Sequence, residues 1–116
     1  SFNYIDDAVN GTVLAMEKGK NGEIYHIGSQ EEITIKELIE YCGQLLDFKG
    51  KYEDAPTYPG SVARRCPDIT KAKRELGYEP KVNWKDGVKE TINWYVDYLQ
   101  KNNDLHESFY ANKNKK

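Results

Sequence analysis

Four stretches of the chain repeat apolar residues at helical spacing, and each is bounded by residues that start or stop helices. In "IDDAVNGTVLAMEKGKNG", Val9, Val13 and Met16 share a stripe, Asp6 and Asp7 supply carboxylates suited to a helix start, and Gly19 with Lys-Asn-Gly ends it. "EIYHIGS" alternates instead, with Ile24, His26 and Gly28 on one face and Tyr25 and Ile27 on the other, which predicts a short strand. Thr34 and Glu37 form a capping box ahead of Ile35, Leu38, Ile39, Cys42, Leu45 and Leu46, a stripe expected to pack on a core. Asp68 is a natural N-cap for "ITKAKREL", and Gly77 a natural C-cap with Pro80 beyond it. Asn83 caps a final long helix whose inner stripe is Val88, Ile92, Val96 and Leu99.

The predicted order is helix, strand, helix, an extended "KYEDAP" piece, a short helix and a long helix. This is an α/β unit with too few strands for a self-sufficient parallel sheet. Residues 1–101 form the unit, and residues 102–116 an Asn/Lys-rich tail that Phe109 and Tyr110 could anchor. At 116 residues there is room for one modest core.

Charge narrows the partners. Seventeen basic and nineteen acidic residues leave a formal charge of -2, which disfavours nucleic acid as the main partner. Cys42 and Cys66 match no metal-ligand spacing and are expected to be reduced thiols. No leader precedes Ser1, and no apolar run approaches the ~20 residues that span a bilayer, so the expectation is a cytoplasmic protein without membrane contact.

Candidate chemistry concentrates around "GSVARRCPDITKAKRELGYEP". Arg64 and Arg65 lie in a loop just before a helix start, where guanidinium forks and free amides suit phosphate oxygens. The competing reading is a solvated arginine pair bonded to Glu53 or Asp54. Tyr4 and Tyr58 stand beside a turn or loop, where a ring or hydroxyl could meet a ligand. Adjacent Asp6 and Asp7 diverge and do not form an acid/base pair, and His26 and His106 lack partners at catalytic or metal spacing. There is no GxGxxG loop and no nucleophile with a recognisable base.

Three segments, in order and in register, resemble the C-terminal part of extended short-chain dehydrogenases/reductases acting on nucleotide sugars. "SFNYIDDAVNGTVLAMEK" is similar to the family's R-x-F-x-Y-V-x-D motif, starting one residue after its arginine. "GEIYHIGSQEEITIKELIEYC" is similar to the family's strand and helix, and "RRCPDITKAKRELGYEPKVNWKDGVKETINWY" to its closing R-x-P-D-I segment, with Tyr78 in place of tryptophan. The resemblance implies the substrate-binding portion of an NAD- or NADP-dependent epimerase, dehydratase or decarboxylase, in which nicotinamide transiently oxidises the sugar. It implies that Arg65 grips a nucleotide-sugar diphosphate, that Arg64 could share the task, that Tyr4 matches an aromatic position of the first motif, and that Asp7 and Asp68 are architectural. Tyr58 stands where some branches have a further arginine, and Ser61 and Val62 where others have acids. The family's Gly-rich loop and Tyr-x-x-x-Lys pair have no counterpart in these residues, so cofactor binding, catalysis and homodimerisation are expected of an N-terminal Rossmann half. A start inside the first motif reads as a fragment or split product. The alternatives are a free-standing binding module of the same fold and a structural remnant without ligand.

Overall fold

A computed structural model describes residues 1–104; Phe109, Tyr110 and His106 lie outside them. Four helices follow one another: α1 (Ile5–Lys18), α2 (Ile35–Leu45), α3 (Thr70–Leu76) and α4 (Trp84–Lys101). α1 packs on α3 and α2 on α4.

The expected strand is absent, and the described residues contain no β-ladder. Residues 23–27 still alternate as the pattern requires: Tyr25 and Ile27 are half-buried against the core, while Ile24 and His26 are exposed. What is missing is a neighbour, because a strand is defined by hydrogen bonds to another strand. The helix-strand-helix detail of the α/β expectation is therefore not confirmed: the described part is helical, and residues 23–27 lack a pairing partner.

The N-caps of α2 and α4 are those the sequence predicts. Thr34 Oγ1 accepts from the Glu37 amide at 3.1 Å, and Glu37 Oε2 accepts from the Thr34 amide at 2.7 Å, completing the capping box. Asn83 Oδ1 accepts from the Asp86 amide at 3.0 Å. Asp68 is not the N-cap of α3, which is Ile69 without a side-chain cap bond; its Oδ1 accepts from the Thr70 amide at 2.9 Å, and hydrogen bonds from the Thr70 hydroxyl and amide hold its carboxyl below the usual range. Gly77 ends α3 at φ 70°, its N–H donating to Lys73 O at 3.1 Å and Tyr78 N–H to Ala72 O at 3.3 Å, an αL turn in which glycine avoids the left-handed penalty.

That turn delivers Tyr78 into the centre. The buried apolar set is Ile69, Ala72, Leu76 and Tyr78, flanked by Leu14, Ala15, Tyr25 and Ile27. Tyr78 is 0% exposed, and its hydroxyl donates to Gly28 O at 3.0 Å. Burial pushes the phenol pKa up. Gly11 is buried where α1 approaches Ile27 and the Tyr78 ring.

The stripes of the longer helices are less covered than their periodicity predicts. Val9, Val13 and Met16 are exposed on α1, as are Ile35, Ile39 and Leu45 on α2 and Leu46 just past its end. Val88, Ile92, Val96 and Leu99 are half-buried on α4. A periodic stripe marks the face that suits burial; whether it is covered depends on what stands opposite, and among the described residues too little does.

Candidate functional site: an arginine cleft between two loops

Asp7 does not cap α1 as its position suggested; Tyr4 is the N-cap, without a side-chain bond. Instead Asp7 is buried and accepts from the Lys81 amide at 3.0 Å and the Val82 amide at 2.9 Å. The carboxylate thereby ties the start of α1 to the link between α3 and α4. Tyr4 packs its ring edge-on to Gly87 of α4, where an added Cβ would come within 3.1 Å of Tyr4 Cδ2. These two contacts hold the α1–α3 pair beside the α2–α4 pair.

Loop 29–34 crosses the same junction. Ser29 Oγ accepts from the Glu31 amide at 3.1 Å, which folds the loop back on itself. Glu31 Oε2 accepts from the Trp84 amide at 3.0 Å and so satisfies a free N–H at the start of α4. Its neighbour Glu32 reaches the opposite way: Arg64 Nε donates to Oε2 at 2.6 Å and Arg64 Nη2 to Oε1 at 2.7 Å. This is a two-bond fork, which lowers the Glu32 pKa and raises that of Arg64. Of the arginine pair, Arg64 therefore bonds to Glu32 and not to Glu53 or Asp54.

Between this loop and residues 61–65 opens a cleft of about 900 Å³, lined among others by Phe2, Glu32, Thr34, Arg64 and Arg65. Arg65 also lines a smaller hollow with Asn3, Ser29 and Cys66. Its carbonyl accepts from the Ser1 nitrogen at 2.6 Å, but its guanidinium makes no hydrogen bond or ion pair with any described residue. One of the two arginines is thus committed and the other uncommitted.

The remaining candidates lie elsewhere. Tyr4 lines a separate apolar hollow with Leu38, Cys42 and Val88. Tyr58 is 86% exposed on the turn closed by Ser61 N–H to Tyr58 O at 3.0 Å, and it does not line the arginine cleft. Asp68 stays at the helix start behind Arg65. Sequence reasoning does not single out Glu31 or Glu32, because nothing local announces for Glu32 a partner 32 residues away. No group of His, Cys, Asp and Glu among the described residues could hold a metal ion, and no described helix is long and apolar enough to cross a membrane.

Comparison with known proteins points one way. The sequence model of the family described as GDP-mannose 4,6 dehydratase matches residues 1–91. UDP-N-acetyl-alpha-D-glucosaminuronate decarboxylase of Bacillus cytotoxicus is 39% identical over 100 residues, covering 81% of this chain and 31% of that protein. dTDP-glucose 4,6-dehydratase of Streptomyces niveus is 37% identical over 98 residues, covering 81% and 28%. Among solved structures, UDP-glucose 4-epimerase of Thermotoga maritima with UDP-glucose superposes with a TM-score of 0.78 at 35% identity, over 84% of this chain and 31% of the other. UDP-glucuronic acid 4-epimerase of Bacillus cereus, in complex with UDP-glucuronic acid and NAD, gives 0.74 at 34% identity, over 84% and 32%. The chain spans a little under a third of the length of these relatives. Sequence match and superposition agree that it belongs to the GDP-mannose 4,6 dehydratase family, among the extended short-chain dehydrogenases/reductases of nucleotide-sugar epimerases and dehydratases.

Proposed function

We propose that this chain is the sugar-nucleotide-binding portion of an NAD-dependent epimerase, dehydratase or decarboxylase, with Arg65 as its diphosphate ligand. The observation that carries the reading is the uncommitted Arg65 guanidinium on the wall of the cleft, beside an arginine already neutralised by Glu32. A planar fork of donors in a partly screened cleft suits the oxygens of a diphosphate. That solved relatives hold UDP-glucose or UDP-glucuronic acid supports the class of ligand.

The chain's contribution is orientation. Fixing the diphosphate at Arg65 sets the distance and angle at which the sugar meets a reactive centre, which turns an intermolecular encounter into a positioned one. The described residues offer no glycine-rich strand-to-helix turn for a dinucleotide, so NAD or NADP does not fit a site built by this chain, and no chemical step is assigned to its residues. The same reading makes the whole enzyme a cytoplasmic homodimer whose other half carries cofactor and acid/base residues.

Calorimetric titration of the chain with UDP, dTDP-glucose and UDP-glucuronate tests this. Saturable binding is expected, weakened in Arg65→Ala by about 1.5–3 kcal/mol, the range for a hydrogen bond to a charged group. Uridine, which lacks phosphate, should bind weakly and indifferently to the substitution. Equal affinity of wild type and variant for UDP would remove Arg65 from the site. A free-standing binding module predicts the same titration, and the two readings part on whether a Tyr-x-x-x-Lys half is encoded with this chain.

A further inference from the structure

The segment that carries Arg65 is weakly anchored for a ligand-binding element. Residues 61–66 belong to no helix, and their side-chain links to the described fold are few. Cys66 Sγ stands 4.0 Å from Gln30 O, a marginal contact for sulfur. The strong one is the two-bond fork of Arg64 on Glu32. Gln30 and Glu32 belong to the same loop, which Glu31 fastens to α4 through the Trp84 amide. The chain from α4 to Arg65 is therefore continuous: Trp84 amide, Glu31, Glu32, Arg64, Arg65.

Both partners of the fork are largely solvent-exposed, at 71% and 46% of side-chain area. An exposed ion pair adds little to folding. What a fork in which both oxygens are used does supply is direction, because it fixes the plane of the guanidinium and with it the backbone that carries it. Arg64 and Arg65 line the same cleft. Tethering Arg64 to Glu32 engages one of the two guanidinium groups and holds the backbone next to the other.

We propose that Glu32 is a positioning residue for the diphosphate ligand, holding Arg64 away from the phosphates so that Arg65 alone meets them. The inference rests on the nucleotide-diphosphate reading above and deepens it. It reverses the simple electrostatic expectation. A carboxylate beside an anion site should repel the ligand, and its removal should tighten binding and free a second arginine. A positioning carboxylate does the opposite.

The test is UDP titration of the full chain with Glu32→Gln, Arg64→Ala, Arg64→Lys and the Glu32→Gln/Arg64→Ala double variant. Glu32→Gln should weaken UDP binding about fivefold, within the range of couplings between residues in contact, although it removes a negative charge. Arg64→Ala should match it, and the double variant should be no weaker than either single one. Arg64→Lys keeps the charge and loses the fork, so it should bind as poorly as Arg64→Ala. Unchanged or tighter binding by Glu32→Gln, additive losses, or full affinity in Arg64→Lys would overturn the proposal. Side-chain nitrogen NMR of the free chain separates the two layers of the account. The Arg64 Nε–H should be protected from exchange and lose that protection in Glu32→Gln, while the Arg65 Nε–H exchanges freely in both. Equal exchange of the two arginines in wild type overturns the tether. A protected Arg64 in a wild-type chain that binds no UDP overturns the nucleotide reading, and the positioning role falls with it. UDP binding that Glu32→Gln leaves intact overturns the positioning role alone.

Discussion

Tyr78 shows how much one side chain carries here. Its ring fills the space between α1 and α3, and its hydroxyl satisfies Gly28 O at 3.0 Å in a site sealed from water. Tyr78→Phe should cost about 0.5–1.5 kcal/mol, the net value of a typical hydrogen bond, with more if the Gly28 carbonyl stays dry; urea unfolding measures it. No change would mean that water reaches the carbonyl. The Glu32–Arg64 fork makes a prediction in pH. Because its folded pKa lies below the ordinary 4.5, Glu32 is more acidic in the folded chain. The pair is therefore complete above that ordinary value and is lost as the pH falls through the lower folded one. The Arg64 Nε–H signal should persist at about pH 5 and vanish only below the free-glutamate range of about 4.3. Loss of the signal between about pH 6 and 5 would contradict the fork. At this scale the sequence was uneven as a guide. Arg65 was legible as a phosphate candidate from its type and place, but its partner-free state was not, since that depends on Glu32 taking Arg64.

Among the elements, the helices were legible because caps act within four residues: Thr34 with Glu37, Asn83 with Asp86, Gly77 after α3. The strand was not, because alternation describes a face and a strand needs a neighbour. The core was only half legible. Ile69, Ala72 and Leu76 repeat at helical spacing, yet the helix they belong to or precede has only seven residues, too short for its periodicity to stand out beside the longer stripes of α2 and α4. Its depth comes from α1, which settles close because position 11 has no side chain. An added Cβ there would lie 2.9 Å from Tyr78 Cε2 and 3.1 Å from Ile27 Cδ1. Gly11→Ala should therefore destabilise by about 1–3 kcal/mol through overpacking, even though alanine is the better helix former. Thermal unfolding reads the sign directly: a raised midpoint would mean that α1 does not rest on Ile27 and Tyr78 as described.

At the scale of the whole molecule, the described residues expose more large apolar side chains than they bury. Ile5, Val9, Val13 and Met16 line an open face of α1, and Trp94, Tyr95 and Tyr98 form an aromatic ladder on α4, with Trp94 and Tyr98 stacked at 5.2 Å. The Cα radius of gyration is 18.0 Å, against about 13 Å for a compact domain of this length. The chain spans 31% of the superposed UDP-glucose 4-epimerase. The account places function in the cleft between loop 29–34 and residues 61–65. A crystal structure of the chain grown with saturating UDP tests it most directly. The account predicts diphosphate oxygens about 2.7–2.9 Å from the Arg65 guanidinium, the spacing of charge-assisted bonds, with Arg64 still forked on Glu32. Diphosphate bound to Arg64 with Glu32 released, or a cleft left empty at saturation, would contradict it.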